Sequence, residues 1–346
     1  MIKKLTFLKR LKNMSKINRL VSVAPMMDCT DRHERFFLRL ISKNVLLYTE
    51  MVVSEAIDRG DKKKLLSFNT DEKPVALQLG GSSPKLLGKA AKIGEEFGYD
   101  EINLNLGCPS KKVQKNKFGA CLIKEPNLVA ECLTDMKAAT SLPITVKTRI
   151  GYDDVDDYEN LFNFINTLKK TGVKTFIIHA RKAMLGKFTP KQNLNIPPLK
   201  YERVYKLKED FGDLEIIING GISSTDQIEK HLLKVDGVMI GRSVYHSPYL
   251  LADIEKEIFN NSNVRSREQV LEELIPYVKK EIKNGTRINQ IMRHTLGLYH
   301  GINGSSYWKK YLSQNLCVRD ADVKKIDHIM DKVKIPSQLH SAGQFD

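Results

Sequence analysis

Long apolar runs are missing from this 346-residue chain. No stretch approaches the ~18 consecutive apolar residues that a helix needs to cross a bilayer, so no membrane span is expected. Cysteine is scarce. The five present, Cys29, Cys108, Cys121, Cys132 and Cys317, are odd in number, scattered, and form no Cys-x-x-Cys pair. That pattern supports neither a disulfide framework nor a zinc site, and it fits a reducing, cytoplasmic compartment. A dinucleotide fingerprint is also lacking, since Gly80-Gly81 has no third glycine at the required spacing. A tightly held mononucleotide therefore suits the chain better than a Rossmann-bound cofactor. Acidic residues are outnumbered, 41 against 56 basic ones, for a formal charge of +15. Such a surplus points to a polyanionic partner, either nucleic acid or an anionic membrane surface.

Short Val/Ile-rich runs recur at Val21–Ala24, Val45–Tyr48, Val75–Leu79, Glu101–Asn105, Ile144–Lys147, Thr175–His179, Glu215–Asn219 and Gly237–Ile240. Between them, 30–43, 84–97, 126–140, 156–171 and 224–234 carry apolar residues at helical spacing, several opened by Thr, Ser or Pro. Eight strand-then-helix units predict an α/β (β/α)8 TIM barrel, with a doubly wound sheet as the competitor. After about residue 255 the strand signal stops, and 266–284, 287–300, 305–315 and 321–333 read as helices. The chain thus divides into a basic extension over 1–19, a barrel over 20–255 and an all-α C-terminal domain over 256–346. The extension holds seven Lys or Arg within the first twenty residues and no acid, which reads as an organellar address or a basic arm.

Seven of the eight runs end in residues that packing does not explain: Pro25-Met26-Met27, Gln78, Asn105, Lys147, His179, Asn219 and Gly241-Arg242. In a barrel all of these lie on the catalytic rim, and the loops after the last two strands are the common place for phosphate. Asn219-Gly220-Gly221 and Gly241-Arg242 occupy those loops. They offer backbone N–H groups and a guanidinium to an anion. Met26, Met27 and the Gln78 amide suit a flat heteroaromatic ring, although methionine is also ordinary core filler. Lys147 and His179 can place positive charge beside such a ring, or can be a solvated lysine and a histidine satisfied by backbone. Cys108 sits between Gly107 and Pro109 after the alternating strand Ile102–Leu106, held at a strand mouth. A free cysteine is often just a small buried apolar residue.

Several of these segments are specific. Val23 to His33 (VAPMMDCTDRH), Glu101 to Ala120 with NLNLGCPSKKVQ and FGAC, Lys147-Thr148-Arg149, His179-Ala180-Arg181-Lys182-Ala183 and Asn219-Gly220-Gly221-Ile222 together resemble the tRNA-dihydrouridine synthases, in particular their A-type subgroup, from about residue 20 to 335. The resemblance implies an FMN-dependent barrel with a helical tRNA-binding domain that reduces D-loop uridines, positions 20 and 20a, with electrons from NADPH, as a monomer. It carries Pro25, Met26, Met27, Gln78, Lys147, His179, Asn219, Gly220, Gly221, Gly241 and Arg242 onto flavin positions, and Cys108 onto the catalytic acid. Asn105 and Arg181 fall on uridine contacts, and Lys191 on a tRNA contact.

The implied chemistry suits the residues. Hydride arriving at carbon 6 of uracil builds negative charge on carbon 5, and a thiol with an ordinary pKa near ~8.5 is protonated at neutral pH yet acidic enough to donate. The chain departs from the subgroup at Leu194, where arginine is common, and at Ser305-Ser306-Tyr307-Trp308-Lys309-Lys310, where the family stretch is arginine-rich. Lys309 and Lys310 remain candidate tRNA contacts, as point charges without arginine's fork. Two other functions stay open on the residues alone: an FMN barrel reducing a small molecule, and a non-catalytic tRNA-binding chaperone.

Overall fold

In the computed structural model, which describes residues 17–318, 321, 323–326 and 329, every named strand pairs parallel. The strands are β1 (Val21–Val23), β2 (Leu46–Tyr48), β3 (Val52–Val53), β4 (Val75–Gly80), β5 (Glu101–Leu106), β6 (Ile144–Arg149), β7 (Thr175–His179), β8 (Glu215–Asn219) and β9 (Gly237–Ile240). They run β2-β1-β9-β8-β7-β6-β5-β4, and the ladder between β2 and β4, Leu47 opposite Val75 and Tyr48 opposite Ala76, closes the ring. Closure leaves no open edge among these eight and excludes the doubly wound sheet. The short β3, absent from the sequence reading, adds to the end of β4. Two residues are too few for periodicity to reveal.

Around the ring stand α1 (Arg32–Ile41), α2 (Pro84–Glu96), α3 (Pro126–Ala139), α4 (Tyr158–Lys169), α5 (Tyr201–Asp210) and α6 (Thr225–Leu232). Their starts are chemically marked: Asp31, Ser83, Asp157 and Ser224 accept first-turn N–H groups, and Pro84 and Pro126 open their helices. No helix among the described residues is long and apolar enough to cross a membrane.

Strand alternation sorts the core into two layers. Ile102, Leu104 and Leu106 join the large cluster of strand and helix side chains, whereas Ile17, Ala24, Leu46, Tyr48, Ala76, Ile177, Ile217 and Met239 form a separate small cluster. Alongside the small cluster runs a polar column. Arg19 donates to Glu101 at 2.6 Å, Tyr48 and Thr145 hydroxyls donate to the same carboxylate at 2.6 Å each, and Asn103 donates to Thr145 at 2.9 Å. The column ends where Gln78 donates to Asn103 at 2.8 Å and accepts from Asn105 at 2.7 Å. Ile17 and Arg19, the last stretch of the expected basic extension, are buried at its foot. Residues 1–16 of that extension lie outside the described residues.

After β9 come α7 (Arg242–His246) and α8 (Leu250–Glu257), and the C-terminal region beyond them is helical: α9 (Arg267–Lys283), α10 (Ile288–Met292) and α11 (Ser305–Asn315). The helix expected over 287–300 is α-helical only in α10 and tightens to a 3-10 turn over Arg293–Gly297. There the Thr295 carbonyl accepts from Trp308 Nε1 at 2.9 Å, and a Cβ on Gly297 would stand 2.4 Å from the His246 carbonyl oxygen. The region packs on α1 through Arg32 with Glu281, His33 Nδ1 with Tyr277 OH at 2.7 Å, and the Phe36 ring stacked on Tyr277. Of the helix expected over 321–333, the turn Val323–Ile326 is described and most of the rest lies outside the described residues.

Candidate active site at the carboxyl-terminal rim

Because every strand points the same way, the polar strand ends meet on one rim. Register makes the neighbourhood explicit: Asn105 lies opposite Lys147, and Arg149, His179 and Asn219 follow one another across three strands. Cys108, half-buried, sits in the turn directly after β5. Asn105 builds that turn, for its Oδ1 accepts from Gly107 N at 3.1 Å and Cys108 N at 3.0 Å. The Cys108 carbonyl accepts from Ala120 N at 2.9 Å. Gly119, at φ +75°, comes so close that a Cβ would lie 2.7 Å from that carbonyl. Both ends of the Asn105 amide are thus engaged with protein, Oδ1 with the thiol's turn and Nδ2 with Gln78.

Lys147 donates to Asn219 Oδ1 at 3.0 Å, and Asn219 Nδ2 donates to Met239 O at 2.8 Å, which fixes that amide's orientation. Loss of hydration, then the charge of Arg149, pushes Lys147 down to about 7. His179 is buried, and burial followed by the charges of Arg149, Lys147, Arg181 and Arg242 drives its pKa well below the usual value. Its imidazole is neutral at pH 7. Arg181 N donates to Nδ1 at 3.2 Å, so the ring proton belongs on Nε2, a donor.

Pro25 and Met26 are half-buried, Met26 packs on the small cluster, and Met27 is exposed. Gly241, which brings a would-be Cβ to 3.5 Å from the Met26 sulfur, joins the loops after β1 and β9. Gly220 and Gly221 have φ of +124° and +72°, a backbone that side chains resist. Arg242 is exposed and donates to Asn195 Oδ1 at 2.8 Å and Leu194 O at 3.2 Å. Arg181 donates to Pro197 O at 2.8 Å. Lys191 stands exposed on the short helix Pro190–Asn193, and Lys309 and Lys310 are exposed on α11, whereas Trp308 between such neighbours is buried.

Sequence reasoning gave no role to Arg149, although it ends the quoted Lys147-Thr148-Arg149. Its guanidinium, buried in the rim, donates to Gly107 O at 2.8 Å, Lys182 O at 3.1 Å and Asn193 O at 3.2 Å. Alternation along β6 is the one signal that places it on the face of Lys147. Asn193, fully buried, was missed for the same reason: its amide ties Met184 and Phe188 backbone together and has no motif. A polar cavity of about 500 Å³ lies where α1, the carboxyl end of β2 and α10 meet, lined by Asp31, Arg35, Glu50, Asn289 and Arg293.

The rim therefore combines a thiol in a fixed turn, a neutral imidazole donor and a set of cations. That set can seat a planar anionic ring and stabilise negative charge developing next to it. A model of the dihydrouridine synthase family matches residues 22–334. The chain is similar to a tRNA-dihydrouridine(20/20a) synthase of Synechocystis sp., 49% identical over 94% of this chain and 97% of that one. It is similar to those of Shewanella oneidensis, 50% identical over 90% and 92% of the two chains, and of Escherichia coli (strain K12), 51% identical over 90% and 91%.

Proposed function

The chain belongs to the dihydrouridine synthase family, flavin-dependent enzymes that reduce uridine in tRNA, and from that premise we propose that it reduces D-loop uridines 20 and 20a with FMN as flavin and NADPH as reductant. The observation that carries this reading is the register ladder that brings Asn105, Lys147, His179 and Asn219 onto the rim beside Cys108.

The residues fit a flavin mononucleotide. Positive φ at Gly220 and Gly221 forms a bend that side chains resist, with Gly221 exposed and Gly241 half-exposed, and Arg242 adds a cation suited to a phosphate. Lys147, His179 Nε2–H and the Gln78 amide would meet the ring, with Pro25, Met26 and Met27 on its apolar side. When bound, the flavin supplies the hydride for carbon 6 of the uracil. The chain's own residues do the rest. Cys108 delivers a proton to carbon 5 from its thiol, Asn105 holds the turn that aims it, and Arg181 stabilises the charge that develops on the base. The uracil must leave the tRNA fold to reach them, and phosphate contacts at Lys191, Lys309 and Lys310 supply holding energy. In this reading residues 20–255 are the catalytic barrel, 256–346 the tRNA platform, and the enzyme acts as a cytoplasmic monomer.

Cys108→Ala tests it. Flavin should remain bound and reducible by NADPH while dihydrouridine formation falls on the order of 100-fold or more. Undiminished product would remove Cys108 from the chemistry. Mapping dihydrouridine in tRNA from cells lacking the protein identifies the positions, and retention of it at 20 and 20a would refute that assignment.

A further inference from the structure

Three arginines rise from the ends of β6, β7 and β9, and all of them spend donors on the loop that follows β7. Arg181 reaches Pro197 O, Arg242 reaches Leu194 O and Asn195, and Arg149 reaches Lys182 O and Asn193 O. Arg149 alone also holds the thiol's turn, through Nε to Gly107 O at 2.8 Å. It is only 4% exposed, and it donates to three backbone carbonyl oxygens, those of Gly107, Lys182 and Asn193. A guanidinium buried against dipoles alone carries a desolvation cost that an apolar side chain would avoid. Its planar fork is what lets one side chain bind two segments at once.

Both ends of this clamp are stiff. On one side the turn's N–H groups are fixed by Asn105 and the Cys108 carbonyl by Ala120 N. On the other, the Asn193 side chain accepts from Met184 N at 2.7 Å and donates to Met184 O at 3.1 Å, so the backbone offered to Arg149 does not yield easily. Displacement of one segment relative to the other breaks the Arg149 hydrogen bonds.

We propose that Arg149 is a positioning residue for the proton transfer, a clamp that locks the Cys108 turn and the loop after β7 into one unit, so that the thiol and the Arg181 side of the pocket meet the base in a fixed relation. The inference rests on the reading of Cys108 as the acid. Misplacing a reacting group by about 1 Å costs on the order of 100-fold in rate. Removing the clamp should therefore slow the chemical step without loosening tRNA binding.

The test uses the full flavin-loaded chain as Arg149→Lys, Arg149→Met and Cys108→Ala. Three measurements decide it: the flavin absorption spectrum, single-turnover dihydrouridine formation by dithionite-reduced protein across tRNA concentrations, and trypsin cleavage after Lys187 and Lys191 in the loop. Both Arg149 variants should keep flavin and lose about 100-fold in the rate at saturating tRNA. The tRNA concentration for half-maximal rate should move less than about threefold. Loop cleavage should accelerate. Arg149→Lys keeps the charge and loses the fork, so its failure to restore the rate assigns the effect to geometry. It also decides the matter if Arg149→Met does not fold. Rates within about threefold of the parent in flavin-loaded Arg149→Lys, or a loss residing wholly in tRNA affinity, would overturn the clamp. If Cys108→Ala alone is fully active, the acid assignment fails first; if it collapses while the Arg149 variants are normal, only the clamp falls.

Discussion

At the amino-terminal floor of the barrel Arg19 donates to Glu101 at 2.6 Å and to Glu215 at 3.2 Å, and Thr175 donates to Glu215 at 2.7 Å. At the opposite rim Lys147, Arg149, Arg181 and Arg242 meet the oxygens of amides and carbonyls, and none forms a salt bridge to a carboxylate among the described residues. The two ends sit on the same strands, one residue type away from each other in chemistry. At the floor the single Arg19 charge is compensated by two carboxylates, which close the column. At the rim, positive charge is left uncompensated by carboxylates, which destabilises the protein by itself and has the sign that an anionic ring or a phosphate would need.

That contrast can be broken at its floor first. Arg19→Met leaves Glu101 buried without its cation and should lower unfolding free energy by about 3–5 kcal/mol, read from urea melts. The double variant with Glu101→Gln should recover most of it, because an amide costs far less to bury than a carboxylate. Equal stability of Arg19→Met and parent would show that the floor charges are not coupled.

A second compensated cluster lies at the seam with the helical region, where His294 is 3.1 Å from Asp31 and 3.0 Å from Glu34. Burial disfavours the imidazolium, but the hydrogen bond to Asp31 and the close Glu34 carboxylate more than offset it and raise His294 to about 9. A raised folded-state value means the contribution is fully present below the unfolded value of ~6.5 and fades as pH climbs through about 9, by at most about 3 kcal/mol. Amide exchange in 288–297 should accelerate over that window, beyond the intrinsic rise with pH. His294→Gln should abolish the excess; an unchanged profile in that variant would exclude His294 as its source.

Rim variants should behave in the reverse sense to floor variants. Lys147→Met, which removes a cation whose pKa is depressed by burial and by Arg149, should leave the melting temperature of flavin-free protein at pH 7 unchanged or higher, while flavin affinity drops about tenfold. Loss of stability there would erase the distinction between the two ends. The smallest effect is expected far from both, at the exposed pair on α11. Lys309→Glu with Lys310→Glu should weaken tRNA binding severalfold and flatten its salt dependence, with flavin content unaltered. Unchanged affinity at low salt would count against α11 as an RNA contact.

Much of the rim was legible because strand alternation has a period of two and a parallel barrel has one mouth. A polar residue that ends an apolar run then has few places to go, which is why Asn105, Lys147, His179 and Asn219 could be read from the chain. Arg149 could not be given its role. Carbonyl partners leave no mark in a sequence, and Gly107, Lys182 and Asn193 are distant from it in the chain. Arg19 was hidden differently, among the lysines and arginines of a basic stretch whose composition says nothing of which one turns inward. Trp308 sits in an exposed-looking Lys-rich helix and is buried, since its indole N–H finds Thr295 O at 2.9 Å. The break in the helix expected over 287–300 comes from that same contact and from the close approach of Gly297 to His246.

From the chain alone came the eight strands of the closed ring, the direction in which their chemistry points and the motifs of the family, because these depend on local periodicity and on residues close together in sequence; the short β3 and the helix Tyr201–Asp210 did not. Which cations are neutralised and which are left bare was decided by tertiary structure, since electrostatic compensation depends on distance in space. Glu101 and Glu215 reach Arg19 only once the barrel has closed, and Arg149 finds two loops only where three strands converge.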